Sequence, residues 1–134
     1  EYVAQGSAYY SPLVDKITLP PLHAFTSESA HAETLLHEMI HSTGHTSRLD
    51  RLEPGAFGCE PYAKEELVAE LGAAMLASVA GITIEWENHA AYVKSWLDVL
   101  KEDSKLLIYS AQRASKAVAW VTGESVVESM PEAA

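Results

Sequence analysis

At 134 residues, 48% of them hydrophobic, the chain has the size and apolar content of one folded domain. Nine Lys and Arg against nineteen Asp and Glu give a formal net charge of −10, which repels phosphate backbones and argues against nucleic-acid binding by this stretch. Cys59 is the only cysteine, so there is no disulfide framework, and no apolar run approaches the ~18 residues of a membrane span. A single cysteine fits a reducing compartment, so we expect the protein in the cytoplasm, and no signal peptide leads the chain.

Residues 8–19 have the pattern of a short β-hairpin. Tyr9 and Tyr10 lie in an extended run, Ser11–Asp15 form the turn, and residues 16–19 alternate between polar and apolar. If this hairpin is a sheet edge beside a functional site, its free backbone groups could hold an extended peptide by strand addition. A hairpin that only packs on the core explains the pattern equally well.

Four amphipathic stretches predict helices. They run from cap residues at 26–29 to Gly44, over 62–80, over about 88–102, and from Asp103 or Ser104 to Gly123. We expect Gly44 to adopt the left-handed conformation that closes many helices. Residues 45–61 form a loop in which Arg48 and Arg51 could bind carboxylates, although solvated arginines are the commoner case.

The first helix carries the sequence His37-Glu38-Met39-Ile40-His41. Residues four apart share one face of a helix, so His37 and His41 can offer two imidazole nitrogens to one metal ion. Zn²⁺ suits imidazole ligands and keeps a position open for water at catalytic sites. Glu38 can take a proton from that water, so the motif predicts a zinc site with Glu38 as general base.

Two histidines alone hold zinc weakly, so the site needs a third protein ligand. The longer pattern with a further histidine ten residues after His37 fails, because that position is Ser47. His45 follows Gly44 and could turn back toward the metal. The remaining candidates are Glu66 and Glu70, which stack one turn apart on the second helix.

Three segments together resemble the zincin-like metallopeptidase domain of ArdC-type antirestriction proteins from plasmids and related mobile elements. They are His37–His45, Ser47–Leu49 and Tyr62–Leu71, and the resemblance extends over residues 8–122. It implies an α+β fold, with a small sheet edge and about four helices, and a peptide-hydrolysing function that requires zinc. It also implies that residues 1–134, which begin at Glu1 rather than Met, are the C-terminal domain of a longer protein. In that family a preceding domain binds single-stranded DNA.

The resemblance to glutamate zincins also assigns roles to two glutamates. In those enzymes a ligand glutamate is followed four residues later by an acid that orients a ligand histidine. This offset makes Glu66 the third ligand and Glu70 the partner of a histidine, with the reversed assignment as the alternative. The candidates for stabilising an oxyanion or contacting substrate are His45, Tyr62 and Tyr109. We expect Glu65 to face solvent, and we treat His89 as structural.

Two other functions remain open. The domain could be a catalytically silent zincin-fold binding module that acts in antirestriction by covering protein or DNA, although a pure scaffold has no need of Glu38. A structural zinc site would need a fourth ligand such as Cys59 or His45. We expect a protein or peptide substrate, single-stranded DNA bound through a separate N-terminal domain, and no membrane partner.

Overall fold

The computed structural model describes residues 6–55, 59–101 and 103–124. Strands β1 and β2 precede a 3₁₀ turn and helices α1 to α4: Tyr9–Ser11, Lys16–Thr18, Leu22–Ala24, Glu28–Thr43, Glu60–Ala80, Trp86–Val99 and Ser104–Thr122. This order confirms the predicted α+β class, a hairpin followed by four helices. Residues 56–58 of the predicted loop, residue 102 and the tail after residue 124 lie outside the described residues. None of the described helices combines the length and apolar character needed to cross a bilayer.

The hairpin is antiparallel, with Tyr10 opposite Ile17 in the register. Arg48 fastens it to α1, because its Nε donates to the Ser42 carbonyl at 2.7 Å while its guanidinium pairs with Asp15. The Tyr10 hydroxyl donates to the same Asp15 carboxylate at 2.8 Å. Arg48 therefore binds a carboxylate, which is the less common of the two cases, and it holds β1 against the helix that carries the histidines.

Helices α1 and α2 approach closely at Gly72. A Cβ atom at this position would lie 2.9 Å from Cδ1 of Ile40, which is fully buried. The small residues Ala69 and Ala73 continue this face of α2 into the core. A long stretch of α2 can therefore lie directly beside the motif-bearing face of α1. Ala114 and Ala117 of α4 complete the same core.

The helix ends follow local chemistry. Ser27 caps α1, since its hydroxyl accepts from the Ala30 N–H at 3.0 Å. α2 starts at Glu60, two residues earlier than predicted, because Pro61 fits the first turn of a helix. α3 covers Trp86–Val99 rather than 88–102.

Gly44 does end α1, but the prediction that it adopts a left-handed conformation is wrong. Its φ of −79° is right-handed, so no left-handed turn requires glycine there. Space requires it instead: a Cβ atom at Gly44 would lie 2.8 Å from Cγ of Leu52 and 3.1 Å from Nη2 of Arg51. The glycine lets the loop after α1 fold back against the end of that helix.

Candidate metal centre

The motif histidines converge on one point beside α2. Nε2 of His37 and Nε2 of His41 are 3.0 Å apart. The Glu66 carboxylate faces both, with Oε2 at 3.3 Å from the His37 nitrogen and Oε1 at 3.1 Å from the His41 nitrogen. Among the described residues these three side chains form the group that could hold a metal ion. Ligands about 2.0–2.1 Å from a tetrahedral ion lie about 3.4 Å from one another, so the donor set fits a divalent cation.

Each histidine also meets a carboxylate at its other ring nitrogen. Nδ1 of His37 lies 3.2 Å from Oε1 of Glu70, and Nδ1 of His41 lies 3.0 Å from Oε1 of Glu65. A carboxylate in this position fixes the orientation and tautomer of a metal-binding imidazole. Two turns of α2 therefore supply all three carboxylates. Glu66 faces the Nε2 atoms of both histidines, while Glu65 and Glu70 face the Nδ1 atoms.

The prediction that Glu65 faces solvent is wrong. Its side chain is only 15% exposed, because it lies between His41 and the guanidinium of Arg51. The expectation that Arg51 is solvated is wrong as well, since its side chain is 7% exposed. The loop after α1 brings Arg51 beside Glu65 of α2. The course of an irregular loop leaves no periodic pattern in the sequence, so this contact could not be predicted from spacing.

His89 adds a contact from α3 that its sequence spacing does not indicate. Its Nδ1 lies 3.2 Å from Oε2 of Glu70, whose other oxygen contacts His37. The imidazole also packs edge-on against Trp86, with ring centroids 6.1 Å apart. His89 therefore lies at the site rather than serving only to pack α3.

The electrostatics of the group match a site for a cation. Burial lowers the pKa of His37, but hydrogen bonds to Glu66 and Glu70 outweigh it and raise that pKa to about 10. Burial also acts to lower the pKa of His41, and hydrogen bonds to Glu65 and Glu66 raise it above its ordinary value. Burial acts to raise the pKa of Glu66, yet both histidines hold it well below its usual range. The carboxylates thus stabilise positive charge where a metal ion would lie.

Glu38 lies close enough to His37, His41 and Glu66 for their charges to affect its carboxyl group. The residue is 7% exposed, and burial raises the pKa of its carboxyl group. The backbone of Tyr10 in β1 acts in the opposite direction and lowers the pKa of this carboxyl group, but burial outweighs it. The hairpin therefore lies close enough to Glu38 to affect its charge.

Two cavities flank the group. One of about 550 Å³ extends toward α3, where Trp96 and Asn88 line it, and one of about 390 Å³ extends under the hairpin. Glu38, Tyr62 and Glu66 line both cavities, so these residues lie where the two cavities adjoin. Burial, followed by the nearby Glu66 carboxylate, raises the pKa of Tyr62 to about 12.

Other predicted site residues lie elsewhere. His45 lines neither cavity, and its Nδ1 lies 2.7 Å from the Ser47 hydroxyl. Tyr109 also lies outside both cavities, with the guanidinium of Arg113 stacked 3.3 Å above its ring. Among the described residues neither Cys59 nor His45 joins the candidate metal donors, so no fourth protein ligand closes the centre.

Comparison with known proteins agrees with this geometry. The family described as zincin-like metallopeptidase matches residues 2–113, so the chain belongs to that family. The crystal structure of the antirestriction protein ArdC from plasmid R388 with Mn(II) bound superposes with a TM-score of 0.77 at 38% identity, over 96% of this chain and 48% of ArdC. The metal-free ArdC structure gives a TM-score of 0.71 at the same 38% identity, over 91% of this chain and 44% of ArdC. The predicted resemblance is confirmed.

The chain is also similar to parts of larger proteins. Two proteins named DNA primase TraC from Escherichia coli are 42% identical over 115 residues and 45% identical over 109 residues. These matches cover 86% and 81% of this chain but only 8% and 10% of the TraC proteins. The uncharacterized protein y4eC of Sinorhizobium fredii (strain NBRC 101917 / NGR234) is 36% identical over 117 residues, which is 87% of this chain and 38% of y4eC. The chain thus spans less than half the length of each relative.

Proposed function

We propose that this domain is a zinc-dependent peptidase in which Glu38 is the general base and His37, His41 and Glu66 hold the metal. The observation that carries the proposal is the position of Glu38, which is buried beside the donor group and lines the cavities on both sides of it. A bound Zn²⁺ supplies a Lewis acid and a water whose pKa is lowered to about 7.

The contacts of the two glutamates support Glu66 as the third ligand. Its oxygens face the Nε2 atoms of both histidines, whereas Glu70 contacts Nδ1 of His37. Glu70 instead lies beside the outer nitrogen of His37. We therefore propose that Glu70 orients His37, and we favour Glu66 over the reversed assignment.

The environment of Glu38 suits proton transfer. A carboxylate whose pKa is raised by burial binds a proton more readily than an exposed one, which brings it closer to the ideal for a base near neutral pH. Glu38 would take a proton from the attacking water and deliver it to the leaving amine.

The cleft offers contacts for an extended peptide. In the described part of the chain β1 pairs only with β2, and Tyr9 and Tyr10 of β1 line the cavity under the hairpin. A peptide that adds to this edge as a further strand would lie along the cavity that Glu38 also lines. Tyr62 remains a protonated donor at neutral pH and lines the cleft centre, so we assign it to stabilising the oxyanion.

The domain organisation extends this proposal. We propose that residues 1–134 form one peptidase domain of a longer cytoplasmic protein of a plasmid or mobile element. An additional domain would bind single-stranded DNA and bring the peptidase to a protein substrate, in an antirestriction role. The support is the likeness to ArdC, of which this chain covers about half, together with the −10 charge of the chain itself.

The test replaces Glu38 with Gln in the intact protein. The variant should keep its metal and lose peptide cleavage, because an amide cannot accept the proton. Metal analysis and cleavage of a peptide library would be measured with and without single-stranded DNA. Glu60→Gln is the control, since Glu60 is an exposed carboxylate that pairs with Lys64 at the start of α2. Cleavage by Glu38→Gln at the parent rate would rule out Glu38 as the base, and a parent protein that binds metal but never cleaves would favour the binding module.

A further inference from the structure

We infer that Arg51 and Glu65 act as a positioning pair that fixes His41 for metal binding. This inference rests on the proposed metal centre but not on peptide hydrolysis. Neither residue is a donor to the metal, and both act through the imidazole of His41.

Arg51 uses its whole guanidinium group in this position. Its Nε donates to Oε2 of Glu65 at 2.8 Å and its Nη2 donates to Oε1 at 2.8 Å, which makes a two-point ion pair. Nη2 also donates to the Ile40 carbonyl at 2.8 Å, and Nη1 donates to the Thr43 hydroxyl at 3.0 Å. The arginine thus ties the last turns of α1 to Glu65 on α2.

The two-point ion pair with Arg51 determines the orientation of the Glu65 carboxylate. Two parallel hydrogen bonds from a planar guanidinium prevent the carboxylate from rotating. Its Oε1 is therefore fixed where it accepts a hydrogen bond from Nδ1 of His41 at 3.0 Å. A proton held on Nδ1 leaves the Nε2 lone pair free, and that nitrogen is the one that faces Glu66.

The anchoring of Arg51 on α1 makes the arrangement rigid. The carbonyl that it binds belongs to Ile40, the residue immediately before His41. Helix, arginine, carboxylate and imidazole therefore close a small ring of contacts around one histidine. Gly44 makes room for this ring, because a side chain there would meet Nη2 of Arg51 at 3.1 Å.

Two pairs of variants test the positioning role. Glu65→Ala removes the acceptor for Nδ1, and Arg51→Lys keeps the charge but loses the two-point grip. Glu60→Ala on the same helix and Arg113→Lys on α4 are the matched controls. Each makes the same substitution at a residue whose described partner is not a histidine, Lys64 for Glu60 and the Tyr109 ring for Arg113. Glu65→Gln retains a carbonyl oxygen that can accept from Nδ1, so it serves as the conservative rescue.

The measurements are zinc affinity by chelator competition and the visible spectrum of the protein saturated with Co²⁺, which reports ligand geometry. Circular dichroism confirms that each variant is folded under the conditions used. Glu65→Ala and Arg51→Lys should bind zinc about 10–100-fold more weakly than the parent, the usual effect of removing an outer partner of a metal ligand. Their cobalt spectra should change, the controls should match the parent, and Glu65→Gln should recover part of the affinity.

The outcomes separate this inference from the proposed function. Parent-like zinc affinity and cobalt spectra in Glu65→Ala and Arg51→Lys would overturn the positioning role even if the parent cleaves peptides. If the parent cleaves no peptide but Glu65→Ala and Arg51→Lys bind zinc more weakly than the parent, the positioning role is supported and the peptidase proposal fails. A parent protein that binds no divalent metal would overturn both. If Glu65→Ala does not fold, the comparison of Arg51→Lys with Arg113→Lys decides the matter.

Discussion

Nε2 of His37 lies 3.0 Å from Nε2 of His41, so the two imidazoles share one small volume between α1 and α2. Against the effect of burial, hydrogen bonds to the neighbouring carboxylates raise the pKa of both histidines. Metal binding must compete with protonation, because a ligand nitrogen needs its lone pair. The two nitrogens are close enough to share one metal ion.

Replacement of one histidine should abolish metal binding. His37→Ala leaves His41 and Glu66, and two protein ligands hold zinc weakly. We expect the purified parent to carry a single Zn²⁺ per chain and His37→Ala to carry none, as measured by elemental analysis after gel filtration. Equal zinc in the two proteins would contradict the assignment of His37.

Glu66 and Glu70 should differ in their effects on metal affinity. Glu66→Ala removes a donor and should lose zinc outright. Glu70→Ala leaves all three donors and frees only Nδ1 of His37, so zinc affinity should fall by about 10–100-fold. Titration with a chelating dye measures both, with Glu60→Ala as the control for lost negative charge. Should Glu70→Ala prove the more damaging, the roles of the two glutamates are reversed.

A methyl group at Gly72 should separate α1 from α2. In Gly72→Ala the new Cβ would lie 2.9 Å from Cδ1 of Ile40 in a filled core. Overpacking costs about 1–3 kcal/mol, and the better helix propensity of alanine returns about 1 kcal/mol. The net loss in the free energy of unfolding should be on the order of 1 kcal/mol, measured by urea denaturation. Adding Ile40→Val removes Cδ1 but leaves Cγ1 at 2.9 Å and Cγ2 at 3.0 Å, so it should recover only part of the loss. An unchanged midpoint in Gly72→Ala would show that the Ile40 side chain can move aside at little cost.

Acid should loosen the hairpin through Asp15. Hydrogen bonds from Arg48 and then Tyr10 lower the pKa of this carboxyl group from 3.8 to about 2. A pKa that is lower in the folded state contributes stability above the unfolded value, and that contribution disappears as the pH falls from about 4 to about 2. Unfolding of the parent and of Asp15→Asn should therefore differ at neutral pH and converge toward pH 2. A constant difference across this range would argue against the pairing with Arg48.

Much of the architecture is legible in the sequence because it depends on local rules. The i, i+4 spacing of His37 and His41 and the periodicity of the helices fix one face of each element without knowledge of the rest. The offset from Glu66 to Glu70 likewise places two carboxylates on one side of α2. These features need only the geometry of a single helix.

The outer contacts of the centre depend on tertiary packing, and the sequence does not reveal them. Glu65 is about 100° around the helix from Glu66, so it faces solvent unless a second element covers that side. Arg51, in the loop after α1, covers Glu65, and the course of that loop is not marked by any repeating pattern in the sequence. His89 reaches Glu70 only because α3 docks across the cleft. The sequence offers only a weak indication of these contacts, namely the two consecutive glutamates Glu65 and Glu66 after a loop that contains Arg51.

The close approach of α1 and α2 also bears on how the protein folds. All the metal donors and two of their carboxylate partners lie between residues 37 and 70, within a single helical hairpin. Closing a connection of this length costs little more chain entropy than closing a shorter one, and contacts between neighbours in sequence form early. We therefore expect the pair of helices to bring the donors together before α3 docks, so that a divalent ion could bind while the α3 side of the site is still open.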